Sequence, residues 1–377
     1  MPSLQRGAHT ALHYEMWGPV SAPRLLVLSP SNTSLAELRT YVAGPASKPM
    51  ALATSFRCLG FDYRGVGASS MPHGGWPAPG ISVLVDDLLA LLESVGWLSA
   101  SVLGISFGGA VASELALRGS RSFEIERLLL VCPASDCGVG PGLGYPLHTL
   151  LDMGEEQRVE RLLLLADTRR DSYWMRSEEG EAAYEFVLRA DSQLHSTAVD
   201  GRRWLMTARA NHRLLGRLFT ASGLTVETDS PASTSTPLLG QRGGSEYGTA
   251  KCGTAHGGHA PACSGGTHAE GDWPGFDVAI FAAVHDGISP PSVSTRLHRA
   301  YRGSTLVWFD TGHWPNIARE AGPSFHKAAV AFCRGDGISS ALTGASASLE
   351  KRIVAWDAPP AVPPADCTSA ICGCVIL

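Results

Sequence analysis

The chain is short of charge. Of its 377 residues only 17% are charged, and 35 acidic side chains slightly outnumber 30 basic ones, for a formal net charge of −5. No basic surplus is present to hold nucleic acid or to draw the whole chain to anionic lipid, so nothing points to either, and no nucleic-acid partner is expected. The sequence has no run of about 18 apolar residues, so no membrane-spanning helix is expected. Its first stretch, "MPSLQRGAHTALHYEMWG", has no basic flank followed by an apolar core, and no signal peptide is expected. The nine cysteines follow neither a disulfide framework nor a zinc-ribbon spacing. Cys58 and Cys132 fall in strand-like runs and Cys333 in a helix-like one, as small buried thiols do, and a reducing cytosol fits them.

Apolar sequence is plentiful, at 44% of the chain, enough for a large core. It comes as short β-branched runs alternating with helix-like stretches. "RLLVLSP" (24–30), "RCLGFDYRG" (57–65), "SASVLGIS" (99–106), "IERLLLVCP" (125–133), "FDVAIFAAVHDG" (276–287) and "STLVWFDTGHW" (304–314) are expected strands. Helices are expected over 81–96, 108–119, "PPSVSTRLHRAY" and 323–335, the third with prolines in its first turn. The alternation predicts an α/β fold, a mostly parallel, predominantly eight-stranded sheet with helices on both faces. The more alternating "TALHYEMWG" (10–18) is expected to be an antiparallel edge strand.

Two regions break the alternation. Residues 139–220 carry "EEQRVERLLLLAD", "EEGEAAYEFVLRAD" and "RRWLMTARANHRLLGRLF", amphipathic helices with no strand between them, and are expected to form a helical cap. Residues 221–274 are rich in Gly, Ser, Thr, Ala and Pro and are expected to be a low-complexity, disordered insertion. That leaves a core of 1–138 and 275–336 and a flexible tail, 337–377. Within the insertion, Cys252, His256, His259, Cys263 and His268 have zinc-ligand residue types but no apolar framework, so neither metal nor cofactor is expected.

The chemistry-bearing stretch is "GISFGG" (104–109), where glycines flank Ser106 between an expected strand and an expected helix. Glycine weakens both elements. It is needed where a nucleophilic serine projects from a tight strand-to-helix turn, because the positions two before and two after it must have almost no side chain. Gly104 and Gly108 stand at those offsets, and Gly109 lets the helix approach the sheet. The Phe107 N–H, at the helix start, would stabilise an oxyanion formed at Ser106. A serine hydroxyl needs a base, usually a histidine oriented by a buried carboxylate. Asp286, in "AAVHDGISPP", and His313, in "FDTGHWPN", each follow an expected strand. The catalytic candidates are therefore Ser106, Asp286 and His313, with Asp136 of "CPASDCG" the rival acid. Asp310 stands too close along its strand to serve His313, and His285 is a structural neighbour.

At these residues the sequence resembles the α/β-hydrolase fold family, over about 10–138 and 276–335. The resemblance rests on "GISFGG", "HDGISPP" (285–291), "TGHW" (311–314) and "FDYRGVGASS" (61–70), which is similar to the family's D-x-R-G-x-G-x-S segment. It implies that Asp62, Arg64, Gly65 and Gly67 fix a tight loop beside the site. The family's His-Gly after the third strand is replaced by "LSPSNTS" (28–34). Pro30 has no N–H to give. The second oxyanion donor is then Ser31, with Asn32 the alternative. No aspartate occupies the elbow, which argues against epoxide-hydrolase or haloalkane-dehalogenase chemistry.

The last residues, Cys374-Val375-Ile376-Leu377, fit a C-a-a-X prenylation pattern, with the leucine pointing to geranylgeranyl. One lipid anchors only marginally, so Cys372, or Cys367, is the candidate for an added acyl group. The expectation is a serine hydrolase of carboxylic esters or thioesters in the cytoplasm, on the cytosolic face of a membrane where the lipid is attached. Its partner would be a small-molecule or lipid acyl ester. The alternative is a membrane-tethered binding protein that keeps the fold without the activity.

Overall fold

The structure is a computed structural model, and it describes residues 2–7, 10–31, 33–42, 52–69, 76–119, 122–135, 153–194, 199–224, 274–315 and 322–338. Asn32, Asp136, Cys367, Cys372 and Cys374, and the Cys/His group at 252–268, lie outside them.

Eight strands form one sheet: β1 (Ser3–Arg6), β2 (Thr10–Trp17), β3 (Arg24–Leu28), β4 (Arg57–Phe61), β5 (Ser99–Ile105), β6 (Glu124–Val131), β7 (Asp277–Ala283) and β8 (Thr305–Phe309). Their order is β1-β2-β4-β3-β5-β6-β7-β8. β1, β2 and β4 pair antiparallel, and every pair from β4 through β8 is parallel. The expected α/β architecture is therefore present. One expectation is corrected: β2 is antiparallel but is not the edge, because β1 pairs outside it. β1 has no fully buried residue, so it has no apolar stripe to announce it.

Successive residues of a strand point to opposite faces, and both faces of this sheet are covered. Leu26, Leu28, Val102, Leu128, Leu130 and Ile280 enter one core, with α2 (Ile81–Ser94), α3 (Phe107–Arg118) and α8 (Pro291–Ala300). Leu25, Val27, Leu103, Leu129, Val131 and Phe281 enter the other, with α1 (Leu35–Val42) and α9 (Gly322–Arg334). Each fully buried Leu or Phe of this kind contributes roughly 1.5–3 kcal/mol of apolar burial. The strands read as continuous apolar runs because neither face meets water.

Between β6 and β7 lie α4 (Glu155–Ala166), α5 (Glu178–Leu194), α6 (Val199–Asn211) and α7 (Leu215–Ala221). The stretch "RRWLMTARANHRLLGRLF" is two helices, broken at His212–Leu214. The break places His212 against Glu114 of α3, with 3.0 Å between the His212 Nε2 and a carboxylate oxygen. α6 reaches the loop after β4: the Trp204 indole N–H donates to the Pro77 carbonyl at 2.8 Å, and a Cβ at Gly201 would overlap the Gly65 carbonyl oxygen.

Candidate active site

β5 runs straight into α3, and Ser106 is the residue between them. Its backbone sits at φ 52°, ψ −113°. A non-glycine residue there costs on the order of 1–3 kcal/mol and persists only where its surroundings over-determine it. They do so here. The Ser106 N–H donates to the Val131 carbonyl at 2.9 Å, and its carbonyl accepts from Gly109 N at 2.9 Å and Ala134 N at 2.8 Å. The flanking glycines are required sterically. A Cβ at Gly104 would lie 2.6 Å from the Gly108 carbonyl oxygen, and one at Gly108 would overlap the Leu28 carbonyl. A Cβ at Gly109 would lie 2.7 Å from the Pro133 side chain.

Asp286 follows β7 and His313 follows β8, so both stand at the carboxyl ends of neighbouring parallel strands, where ligands of such sheets gather. Asp286 Oδ1 accepts the N–H groups of Ile288 (2.8 Å) and Ser289 (2.7 Å). That turn aims Oδ2 at His313 Nδ1, 2.7 Å away. His313 Nε2 is 3.0 Å from Ser106 Oγ. With Nδ1–H donating to the carboxylate, Nε2 is left as the acceptor for the serine hydroxyl. All three side chains are buried. The structure thus brings together Ser106, His313 and Asp286, the residues singled out in sequence, in one hydrogen-bonded chain. Asp310 is instead paired with His285, at 2.9 Å.

Phe107 opens α3, and the first N–H groups of a helix have no partner within it. Ser31 lies just past Ser29, whose carbonyl accepts from the buried Tyr63 hydroxyl at 3.0 Å; the Tyr63 and Phe107 rings meet edge to face at 5.5 Å. A Cβ at Gly108 would also lie 2.8 Å from the Ser29 carbonyl oxygen, so the 28–29 backbone runs against the start of α3.

The loop after β4 is tied down by its own polar residues. Asp62 accepts from Leu35 N (2.6 Å) and Ala68 N (2.9 Å); burial raises its carboxyl pKa, against these hydrogen bonds. Arg64 makes a bidentate pair with the buried Asp87 of α2, at 2.8 and 2.7 Å. Gly65 and Gly67 both have positive φ, at 73° and 54°. A Cβ at Gly67 would come within 2.5 Å of the Asp62 carboxylate.

Sequence reasoning missed one neighbour. Cys132, just past β6, has φ 40° and places its thiol sulfur within 4.8 Å of the Asp286 carboxylate. Burial pushes the thiol pKa well up, as does the Asp286 charge, so the thiol stays protonated. Nothing in the sequence marks this: a cysteine ending an apolar strand is ordinary core. Among the described residues, metal-ligand atoms gather in one group, Cys132, Asp286 and His313, within 4.8 Å of one another. The 2.7 Å contact between Asp286 and His313 is a hydrogen bond, shorter than the roughly 3.3 Å that two ligands of a tetrahedral zinc ion keep at 2.0–2.1 Å bond lengths. The group is therefore built as a proton-sharing chain.

A family model described as the alpha/beta hydrolase family matches residues 40–322. A Mycobacterium tuberculosis protein named as a non-heme bromoperoxidase is 37% identical over 71 residues, 19% of this chain and 26% of that protein. The chain thus spans about a quarter of the length of the curated relatives it matches. Among solved structures, the enol-lactonase from Burkholderia xenovorans LB400 is similar with a TM-score of 0.59 at 21% identity, covering 88% of this chain and 100% of that one. An esterase from Exiguobacterium antarcticum has a TM-score of 0.58 at 15% identity, covering 86% and 96%. These structural likenesses carry the fold.

Proposed function

The chain belongs to the alpha/beta hydrolase family, and from that premise we propose that it is a serine hydrolase cleaving carboxylic esters or thioesters. Ser106 Oγ attacks the acyl carbon as His313 Nε2 takes its proton; Asp286 holds the ring and stabilises the imidazolium that forms. The tetrahedral oxygen is held by the N–H groups of Phe107 and Ser31. Collapse releases the alcohol or thiol, which receives the proton from His313. Water, deprotonated by the same ring, then hydrolyses the acyl-Ser106 ester.

The observation that carries this reading is the unbroken chain Ser106 Oγ–His313–Asp286 at 3.0 and 2.7 Å, on a serine held at positive φ. A fold kept only for binding has no need of that strain. The names of the enol-lactonase and the esterase, one for a cyclic ester and one for esters at large, favour carboxylic esters. The substrate side of the proposal is a small-molecule or lipid acyl ester.

The test is hydrolysis of a p-nitrophenyl acyl ester by the full chain and by Ser106→Ala. We expect the variant to keep its fold and to lose about 10⁴-fold or more in kcat. Turnover by Ser106→Ala at the wild-type rate would end the assignment.

A further inference from the structure

We propose that Leu165–Arg169, the segment that closes α4, is a splint that positions Asp286 and His313 relative to each other. This rests on the reading of those residues as acid and base.

β7 and β8 end at Ala283 and Phe309. Beyond them the two loops stay in register through Val284 N–H to the Phe309 carbonyl (2.9 Å) and His285 N–H to the Thr311 carbonyl (3.0 Å). Past that point, the backbone of the α4 end engages both loops. The Leu165 carbonyl accepts from Gly287 N at 2.9 Å, the Ala166 carbonyl accepts from His313 N at 2.6 Å, and Thr168 N donates to the His285 carbonyl at 2.8 Å. Three bonds, from Leu165, Ala166 and Thr168, thus go to the acid loop, the base loop and the acid loop again. Two of the loop partners flank Asp286, and the third is His313 itself.

Glycines make this approach feasible. A Cβ at Gly312 would overlap the Ala166 carbonyl oxygen and lie 2.7 Å from the Asp167 Cβ. A Cβ at Gly287 would lie 2.8 Å from the Leu165 carbonyl oxygen. Neither glycine is in the left-handed region, so what each supplies is space.

Side chains close the same junction. Arg169 donates Nε and Nη2 to Asp167 at 2.9 and 2.6 Å, and Nη1 to Asp310 at 3.4 Å. Asp310 in turn meets His285 Nε2 at 2.9 Å. The two residues set aside in sequence as non-catalytic therefore bind the splint to both loops. These ion pairs are half-exposed and individually weak, so the backbone bonds dominate.

Because a shift of about 1 Å in a reacting group can cost about 10²-fold in rate, the α4 end acts on chemistry without touching substrate. Gly312, Gly287 and Arg169 are positioning residues.

The experiment compares p-nitrophenyl ester kinetics and circular dichroism of the full chain with those of Gly312→Ala, Arg169→Gln and Arg169→Lys. Gly312→Ala should lower kcat by about 10²-fold while KM stays within about threefold. Arg169→Gln should lower kcat about threefold, with Arg169→Lys recovering most of it. A folded Gly312→Ala with wild-type kcat overturns the proposal, as does a loss matched in size by KM. Where Gly312→Ala does not fold, the Arg169 pair decides: equal kcat in the Gln and Lys variants overturns it. Failure of the parent reading would show separately, as turnover surviving in Ser106→Ala.

Discussion

Ser106 is a serine that the chain holds in an unfavourable conformation at a cost. Three backbone hydrogen bonds and three side-chain-free neighbours are spent on keeping its hydroxyl within 3.0 Å of His313. The cost should be measurable at Gly108, where a methyl group would overlap the Leu28 carbonyl. Gly108→Ala is expected to lose about 2 kcal/mol or more of stability in urea unfolding, and to lose activity with it. Asp286 offers the complementary test. Asp286→Asn keeps the size of the side chain but favours the wrong imidazole tautomer, and kcat should fall by about 10³–10⁴ with little change in KM. The thiols give a third. Cys58, Cys132 and Cys333 are buried, and burial pushes all three up, Cys333 to about 12. None should react with iodoacetamide in the folded protein at pH 8, and all three should react after unfolding, as mass spectrometry of the peptides would show.

At the scale of elements, the helices between β6 and β7 are tied to the sheet layer by polar contacts at specific points. Glu114, on the helix that starts just after Ser106, is buried and meets His212 at 3.0 Å and Arg217 at 2.6 and 3.1 Å. Burial alone would raise its carboxyl, but the bonds to His212 and Arg217 outweigh it and hold the group at about 2, against an ordinary 4.5. A depressed carboxyl stabilises the fold at pH above the unfolded value and loses that contribution as pH falls toward the folded one. Stability should therefore drop between about pH 4.5 and 2, by up to roughly 3 kcal/mol from this group. Urea midpoints at pH 6 and pH 3 should differ more for the wild type than for Glu114→Gln.

The same elements show what a sequence can disclose. The turn at Ser106 was legible because its glycines interrupt an apolar run followed by small residues. Asp286 and His313 were legible because each ends its own apolar strand, in chain order Ser, acid, His. β1 was not, since four residues without a fully buried position carry no stripe. The break at His212–Leu214 is marked by neither Gly nor Pro, so it reads as continuous helix. The splint at Leu165–Arg169 works through backbone carbonyls and N–H groups, which every residue type has. Its sole traces are Gly287 and Gly312, and in a chain with 42 glycines two more raise no alarm.

At the scale of the whole molecule, the sheet does the assembling. Ser106, Asp286 and His313 are up to 207 positions apart, yet they meet because β5, β7 and β8 are parallel strands ending on one rim. Among the described residues no helix is long and apolar enough to cross a membrane. The central claim, that one serine is the nucleophile, is met most directly by reacting the full chain with a fluorophosphonate and mapping the modified peptide. The account predicts a single stoichiometric adduct on Ser106, blocked in His313→Ala. A folded protein that takes no adduct, or takes it on another residue, would contradict it.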